Sequence, residues 1–356
     1  MKPTPTPAEM DKAFRNRDAS YDGIFYVGVR TTGIFCRPSC PARKPLAKNV
    51  EFFATAGEAL FGGYRPCMRC APLKAGGEHP DWASKLLERI DDAPSVRIKD
   101  GDLRALGLEP AKARRYFLGR FGMTFHAYCR ARRLGKAFDE IRNGGRLDEV
   151  ILTHGYESHS GFREAFLNRF GKPPGRTRGG DVIRVAWIET PLGPMAAGAT
   201  AKGVCFLEFT DRRMLEAQFG ALSRRFGLAI VPGENELTHR LRSELDGYFA
   251  GALKKFTVPI EYPGTDFQMR VWRALLEIPY GETRSYEDVA RSIGSPGAVR
   301  AVGHANGLNR VAIVIPCHRV VNKSGELGGY GGGLWRKRNL LAIEQEAPPD
   351  RRRAPR

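Results

Sequence analysis

Apolar residues recur at every fourth position in two stretches of the middle of the chain, and the second stretch repeats the first 49 residues later. These residues are Ala113, Phe117, Phe121, Phe162, Phe166 and Phe170. A spacing of four places them on one face of a helix. The pattern therefore predicts two helices, Pro110–Phe121 and His159–Phe170.

Each of these helices follows a shorter apolar segment and a glycine. Leu103–Leu106 precedes Gly107, and Leu147–His154 precedes Gly155. Helix, glycine turn and helix form a helix-turn-helix unit. A helix over Thr124–Arg142 would join the two units. An ordinary helical bundle with a repeated hairpin fits the same pattern, but the second helices carry basic residues that favour contact with DNA: Lys112, Arg114, Arg115 and Arg163.

The last third of the chain changes its pattern twice. Between 181 and 262 the residues alternate as in strands at Val182–Ile188 and Val204–Phe209, and a helix follows near Thr238–Phe249. Beyond 263 the pattern is helical. It predicts helices over Phe267–Leu276 and Ser285–Ile293, and a third that starts at Pro296 and ends near Ala305.

Charge adds a kind of partner to this picture. The chain has 356 residues, with 57 Lys and Arg against 39 Asp and Glu, a net charge of +18. The net charge is +5 over 1–80, +7 over 81–180, zero over 181–262 and +6 over 263–356. This indicates a polyanionic partner. A membrane surface is disfavoured because no amphipathic anchor accompanies the charge; a basic protein whose charge only keeps it soluble remains an alternative.

Targeting signals are missing from the sequence, so we expect a cytoplasmic, nucleoid-associated protein without membrane contact. The N-terminal segment has no apolar core of a signal peptide, and the apolar run Val311–Ile315 is too short to span a bilayer. Glycine- and proline-rich linkers are predicted at Lys74–Pro80 and Gly171–Gly180. The predicted domains are 1–78, 79–180, 181–262 and 263–347, followed by a disordered basic tail over 348–356.

Seven cysteines in a reducing compartment suggest metal ligands or reactive thiols. Cys36 and Cys40 form one close pair, and Cys67 and Cys70 form another 26 residues further on. Two such pairs predict a tetrahedral Zn(II) site. From spacing alone a closed structural zinc knuckle is favoured. The alternative is a reactive centre, because a zinc-bound thiolate that reaches the surface needs no general base.

A second candidate thiol is Cys317, which precedes His318 and follows the apolar run that ends at Ile315. A cysteine beside a histidine suggests an activated thiolate, although a buried inert cysteine gives the same sequence. Cys129 and Cys205 have no motif around them and are interpreted as ordinary buried residues.

The segments Phe25–Arg43, Asn49–Phe53 and Gly63–Cys70 closely resemble the N-terminal domain of the Ada DNA-repair and response proteins. The resemblance spans about residues 9–75. It implies that Cys36, Cys40, Cys67 and Cys70 bind zinc. It also implies that Cys36 accepts a methyl group from a methylphosphotriester in DNA.

The same resemblance implies that Thr32, Arg43 and Arg65 contact the DNA backbone. Pro45 stands where a further basic contact residue is expected. Residues 79–180 resemble the AraC-type double helix-turn-helix regulators, which implies that Pro110–Phe121 and His159–Phe170 enter the major groove.

The segments Arg300–Asn309 and Pro316–Val320 resemble the O6-alkylguanine-DNA alkyltransferases, a match that runs from about Phe267 to Glu346. The resemblance implies that Cys317 accepts the alkyl group and that His318, acting through a water, keeps it as thiolate. Glu344 would orient His318, and Asn309 would be the structural hinge asparagine.

Three further residues of the alkyltransferase segment receive roles on the DNA side. Arg300 would fill the gap left by an extruded base, since a base inside a duplex cannot reach a buried thiol. Tyr286 would assist base rotation and protonate the leaving guanine. Tyr330, in the Gly328–Gly333 loop, would form a wall of the substrate pocket.

The sequence thus predicts a multidomain protein: an α+β zinc domain, an all-α double helix-turn-helix domain, and an α/β ribonuclease-H-like domain followed by a helical alkyltransferase domain. The resemblance implies a monomeric, single-turnover methyltransferase that repairs methylphosphotriesters, O6-methylguanine and O4-methylthymine. After methylation of Cys36 it would bind promoters and activate transcription with RNA polymerase. The alternative is a purely regulatory DNA-binding protein with structural zinc and a degenerate repair domain.

Overall fold

The computed structural model describes residues 5–73, 80–93, 95–171, 173–176, 181–211 and 215–345. The predicted tail over 348–356 lies outside the described residues. So do residues 74–79 of the first predicted linker and residues 172 and 177–180 of the second. In the part of the chain that is described, no helix combines the length and the apolar character needed to cross a bilayer.

The N-terminal unit is a small four-stranded sheet with two helices. Thr6 caps its first helix by accepting a hydrogen bond from the backbone N–H of Glu9. The strand order is β3-β1-β2-β4, antiparallel except for the β2–β4 pair. Its elements are α1 (Pro7–Asn16), β1 (Tyr26–Val29), β2 (Ile34–Cys36), β3 (Val50–Phe53), α2 (Ala56–Phe61) and β4 (Arg65–Pro66).

Six helices follow, and they confirm the predicted pair of helix-turn-helix units. Both second helices have the predicted bounds, and each ends at a glycine in the left-handed conformation, Gly122 and Gly171. The elements are α3 (Asp81–Asp92), α4 (Asp100–Ala105), α5 (Pro110–Phe121), α6 (Phe125–Arg142), α7 (Leu147–Thr153) and α8 (His159–Phe170).

Each helix-turn-helix unit has its own aromatic core, and α6 contributes to both. Phe117 and Phe121 pack with Tyr128 near the start of α6. Phe166 and Phe170 pack on Phe138 near its end. The basic side chains that favour DNA contact, Lys112, Arg114, Arg115 and Arg163, are exposed.

The α/β unit contains two strands that the pattern did not indicate. Its sheet has the order β7-β6-β5-β8, with β5 and β8 parallel and the other pairs antiparallel. The strand β6 has no β-branched residue, which explains its weak signal. The elements are β5 (Ile183–Ile188), β6 (Met195–Ala199), β7 (Val204–Phe209), α9 (Leu215–Phe226), β8 (Ile230–Pro232) and α10 (Glu236–Phe249).

The C-terminal unit is helical apart from a two-residue parallel pair, β9–β10. The predicted helix start at Pro296 is wrong: Ser295–Ala298 forms a turn closed by the Ala298 N–H on the Ser295 carbonyl at 2.9 Å, and the helix begins at Val299. The elements are α11 (Asp266–Leu276), β9 (Arg284–Ser285), α12 (Tyr286–Ser292), α13 (Val299–Gly307), β10 (Val320–Val321) and α14 (Leu334–Gln345).

The zinc unit and the C-terminal unit share one hydrophobic core. Met10 and Phe14 of α1 belong to the same buried cluster as Trp335 and Leu340 of α14. A polar contact adds to this packing, since Arg338 donates to Glu9 at 2.7 Å. The tertiary structure therefore joins segments that are more than 300 residues apart in the chain.

Candidate active sites: two cysteine centres

The first candidate centre lies where β2 and β4 run side by side. Cys36 ends β2 and Cys67 follows β4, and the pairing of Phe35 with Pro66 brings the two cysteines together. The Cys67 N–H donates to the Phe35 carbonyl at 2.9 Å. The second cysteine of each pair lies in the turn that follows, so the two close sequence pairs meet at one end of the sheet.

The four sulfurs form a cluster that fits a metal ion. The Sγ atoms of Cys36, Cys40, Cys67 and Cys70 all lie within 4.8 Å of one another. A tetrahedral zinc site with Zn–S bonds of about 2.3 Å has sulfurs about 3.8 Å apart, so a small contraction of this cluster suffices. Zinc is the cofactor that this donor set fits. Cys36 is 7% exposed and Cys40 is 2% exposed, so Cys36 is the more accessible of these two thiols.

The three residues predicted to contact the DNA backbone are exposed. Thr32 lies in the β1–β2 turn and is followed by Gly33. The backbone N–H of Arg65 donates to the Gly33 carbonyl at 2.7 Å. Arg43 follows Cys40 in an exposed loop. The structure thus brings Thr32 and Arg65 to one turn and leaves Arg43 on the loop beyond the cluster.

We expect removal of zinc to separate the two activities expected from the resemblance. A chelator should abolish methyl transfer to Cys36, because without zinc the four sulfurs are protonated thiols, which are weak nucleophiles and no longer share an ion that holds them together. Transfer to Cys317 should persist, because none of its partners is a ligand of the cluster. Site-resolved mass spectrometry of both cysteines with and without chelator checks this. Equal loss at both cysteines would contradict the expected independence.

The second candidate centre is a buried thiol in the loop after α13. Cys317 is 5% exposed, and its Sγ accepts a hydrogen bond from Asn309 Nδ2 at 3.1 Å. Asn309 also donates to the Ile315 carbonyl at 2.9 Å and accepts from the Val311 N–H at 3.0 Å. Between them Ile313 has a φ of 71°, which a β-branched residue rarely adopts. Asn309 therefore both fixes this strained loop and touches the sulfur.

His318, the residue after Cys317, forms a buried hydrogen-bonded pair with Glu344. His318 Nε2 lies 2.8 Å from Glu344 Oε1, and both side chains are inaccessible to solvent. His318 Nδ1 is buried without a hydrogen-bond partner among the described residues. Burial lowers the pKa of His318, although Glu344 opposes this effect. The imidazole is therefore neutral at neutral pH, with the Nε2–H donating to Glu344 Oε1 and Nδ1 left as an acceptor.

Glu344 has more partners than the sequence suggested. Arg319 donates to it from Nε at 2.8 Å and from a terminal nitrogen at 3.0 Å, and Tyr248 donates its hydroxyl at 2.8 Å. Burial alone would raise the pKa of Glu344, but the hydrogen bonds from His318 and Arg319 and the positive charge of Arg319 outweigh burial and lower this pKa to about 2. The carboxylate thus stays ionised although it is buried.

Sequence reasoning missed Arg319 and Tyr248. Arg319 directly follows the Cys317–His318 pair, so its position was a usable signal. Tyr248 ends α10, in the neutral segment that showed no motif, and nothing in its local pattern marks it. The neutral α/β unit therefore contributes a side chain to the C-terminal centre.

Tyr286 lies against the loop predicted to form the pocket wall. Its ring lies between Gly303 of α13 and Gly328. Gly328 has no room for a side chain, because a Cβ added there would lie 2.8 Å from the Tyr286 hydroxyl. Lys337 is buried and donates to the carbonyls of Val320 at 2.5 Å and Gly328 at 3.3 Å, which ties this loop to the segment after Cys317. Lys337 was also missed by sequence reasoning.

The remaining two predicted residues lie at the edges of this centre. Arg300 is exposed in the first turn of α13, the helix that Tyr286 packs against. Tyr330 is half-buried in the loop, and its ring packs closely on Gly332. A Cβ added to Gly332 would lie 2.9 Å from this ring.

Comparison with known proteins matches three segments of the chain. Residues 9–72 match the metal-binding domain of Ada, residues 103–180 match a helix-turn-helix domain, and residues 266–346 match the DNA-binding domain of 6-O-methylguanine DNA methyltransferase. The Escherichia coli K12 bifunctional transcriptional activator/DNA repair enzyme Ada is 36% identical over 339 residues, which cover 93% of this chain and 94% of that protein.

Other relatives are shorter and match about half of the chain. The methylated-DNA–protein-cysteine methyltransferase of Mycobacterium tuberculosis H37Rv is 45% identical over 168 residues, which cover 47% of this chain and 96% of that protein. The crystal structure of Mycobacterium tuberculosis OGT in complex with DNA aligns with a TM-score of 0.40 at 44% identity, over 46% of this chain and 92% of that one.

These matches define a multidomain protein in which a zinc-binding domain, a helix-turn-helix domain and an alkyltransferase domain follow one another in one chain. The chain belongs to the Ada family of bifunctional transcriptional activators and DNA repair enzymes. The resemblance drawn from the sequence motifs is thereby confirmed.

Proposed function

We propose that this protein removes methyl groups from DNA by transferring them irreversibly to Cys36 and Cys317, and that methylation of Cys36 turns it into a transcriptional activator. The observation that carries the proposal is a buried Cys317 thiol that Asn309 contacts, directly followed in the chain by His318 paired with Glu344, in the same protein as a four-thiol cluster. An intact set of partners favours repair over the purely regulatory alternative.

The repair of O6-methylguanine follows from the chemistry of the Cys317 centre. Neutral His318 takes the thiol proton at Nδ1 through a water, and Glu344 stabilises the imidazolium that results. The thiolate attacks the methyl carbon. The bond from sulfur to this carbon forms, and the bond from this carbon to guanine O6 breaks. The base leaves as an anion that must gain a proton. Burial raises the pKa of Tyr286, so its hydroxyl is protonated at neutral pH and available as the donor.

O4-methylthymine offers the same methyl–oxygen bond to the same thiolate. The product sulfur is a thioether, which has no easy leaving route, so each centre acts once. We assign to Arg300, which is exposed on α13, the filling of the gap left by the extruded base, and to half-buried Tyr330 a wall of the pocket.

Repair of the DNA backbone is assigned to Cys36. When zinc is bound it holds the four sulfurs as thiolates, without a separate base. The Cys36 sulfur attacks the methyl carbon of a phosphotriester, the S–C bond forms, the C–O bond breaks, and an ordinary phosphodiester anion leaves. Thr32, Arg43 and Arg65 would hold the neighbouring phosphates, a role that their exposure permits.

Methylation of Cys36 makes the net charge of the zinc cluster less negative. Four thiolates around a divalent ion leave two negative charges, and methylation of one sulfur removes one of them. Repulsion from the DNA phosphates falls accordingly. The helix-turn-helix domain, with α5 and α8 in the major groove, then reads the promoter.

The switch is tested by measuring promoter affinity at fixed salt for protein with and without a methyl group on Cys36. We expect binding to tighten about tenfold, the effect of roughly 1.4 kcal/mol of relieved repulsion. The difference should shrink at high salt, because screening weakens repulsion between exposed charges. Equal affinity of the two forms at low salt would refute the switch and leave both repair reactions standing.

Further parts of the proposal concern the setting in which the protein acts. We propose that it works as a monomer in the cytoplasm, associated with the nucleoid, and that activation involves RNA polymerase. We also assign a ribonuclease-H-like fold to the α/β unit, supported by its mixed sheet and the crossover from β7 to β8 through α9.

A further inference from the structure

An open cavity of about 810 Å³ lies between the two helix-turn-helix units. Its walls come from the segment before α4, the first half of α6, and the turn that leads into α8. Its basic lining residues are Arg97, Lys99, His126, Arg130 and Arg133. Neither cysteine centre reaches this cavity.

Arg133 is the feature that points to a ligand. It is only 7% exposed, its Nε has no hydrogen-bond partner among the described residues, and it lines the cavity. Tyr156, also 7% exposed and on the same wall, has a buried hydroxyl that is likewise unpartnered among those residues. Buried polar groups are ordinarily hydrogen-bonded, and a buried cation is ordinarily paired with an anion.

The charges around Arg133 increase its need for an anion. The guanidinium carbons of Arg97 and Arg133 lie 5.4 and 5.2 Å from the centre of the Tyr156 ring, so two cations share one aromatic side chain. In the described part of the chain Arg97, Lys99, Arg130 and Arg133 form no ion pair. The acidic residues of the cavity wall are Asp100, which is paired with His126 at 2.7 Å, and Glu157, so the four Arg and Lys side chains still outnumber the carboxylates.

The start of α8 adds a further attraction for an anion. Ser158 caps this twelve-residue helix by accepting from the Gly161 N–H at 3.1 Å, and both residues line the cavity. The positive end of the helix dipole therefore faces the same space as Arg133.

We propose that this cavity binds a phosphoryl group, and that in the DNA complex the group is a backbone phosphate of the strand that passes between the segments read by α5 and α8. Arginine guanidinium groups match phosphate oxygens in charge and geometry. The assignment of this group to a DNA phosphate rests on the proposed function, in which α5 and α8 both bind DNA. The binding of phosphate by the cavity does not depend on that function. A free phosphate would use the same cations.

The cavity contains its own reporter. Cys129 is half-buried and lines the wall beside Arg130, so it is more accessible than the buried residue that its sequence suggested. Burial raises the pKa of its thiol to about 12, so alkylation is slow and needs long labelling times. A bound phosphate should slow alkylation of Cys129 by N-ethylmaleimide. The full-length zinc-loaded protein is labelled in chloride or inorganic phosphate of matched ionic strength, and separately with a duplex of about 30 base pairs. Mass spectrometry resolves each cysteine, with buried Cys205 as the internal reference.

At a ligand concentration ten times the dissociation constant, Cys129 labelling should slow about tenfold by mass action. Arg133→Gln should remove this protection and Arg133→Lys should retain part of it. Arg130→Gln, at an exposed position, weakens the site without a burial change. Arg142→Gln is the matched control, because it removes the same charge from the exposed far end of α6. Thermal melts show which variants fold.

Three outcomes separate the possibilities. Protection by both phosphate and duplex supports a DNA phosphate in the cavity. Protection by phosphate alone, with duplex binding recorded by anisotropy in the same samples, supports the anion site but assigns it to a free phosphate. Duplex binding with no protection by either ligand overturns the site and leaves the proposed function intact.

Discussion

Cys317→Ala should abolish methyl transfer from O6-methylguanine and leave transfer from a methylphosphotriester intact. The reason is that Cys317 Sγ is the buried thiol that Asn309 holds at 3.1 Å, and no other cysteine has a histidine beside it. Intact-mass analysis after incubation with each methylated duplex should show one methyl adduct with the phosphotriester and none with O6-methylguanine. Peptide mapping should place the remaining adduct on Cys36.

Cys205→Ala is the matched control, since it also removes one buried thiol from the same half of the chain. It should accept one methyl group from each substrate, as the unaltered protein does. A Cys317→Ala protein that still gained an adduct from O6-methylguanine would show that another thiol is the acceptor. Such a result would remove the role assigned to the Cys317 centre.

Glu344→Gln should slow methyl transfer to Cys317 by about two to three orders of magnitude, within the range for loss of a general-base arrangement. An amide can still meet His318, but it cannot stabilise the imidazolium. The same change should destabilise the fold by about 3–5 kcal/mol, because it leaves buried Arg319 without its carboxylate. Single-turnover kinetics and denaturant unfolding measure the two effects. Glu277→Gln, at an exposed position of the same unit, should change neither.

The pH dependence of the unfolding free energy distinguishes a role of the Glu344 charge from a role in packing alone. Its pKa in the folded protein is about 2, below the ordinary value of 4.5. Because the pKa is lower in the folded than in the unfolded protein, ionised Glu344 contributes its full stabilising free energy above pH 4.5. This contribution is lost as the pH falls towards 2. The difference in unfolding free energy between the unaltered protein and Glu344→Gln should therefore close over that window. A gap independent of pH would mean that the side chain acts only through packing.

Local chemistry explains why some elements could be predicted and others could not. The bounds of α5 and α8 follow from a spacing of four and from the glycines at their ends, which are properties of a few consecutive residues. The strand β6, without a β-branched residue, is defined by its partners β5 and β7. The helix at Val299 begins late because Ser295–Ala298 closes a turn, which competes with a helical start at Pro296.

The candidate sites divide in the same way. The cysteine pairs at 36–40 and 67–70 and the segment 316–319 are short motifs, so their chemistry can be recognised from neighbouring residues. Tyr248 and Glu344 are 96 residues apart in the chain, and their hydrogen bond depends on α10 packing near the C-terminal unit. No local pattern encodes that contact. The unpartnered Arg133 also depends on its surroundings, since in the sequence it is one basic residue among several.

By itself, the sequence determined the family, the order of the domains, the cysteine motifs at 36–40, 67–70 and 316–319, and the strong positive charge. These properties depend on side-chain types at short fixed spacings and on summed charge. Only the tertiary structure decided that the zinc unit shares a core with the C-terminal unit, that the neutral unit supplies Tyr248, and that four cations surround one cavity. Burial and hydrogen bonding between distant segments arise when the chain packs, so they cannot be read from neighbouring residues.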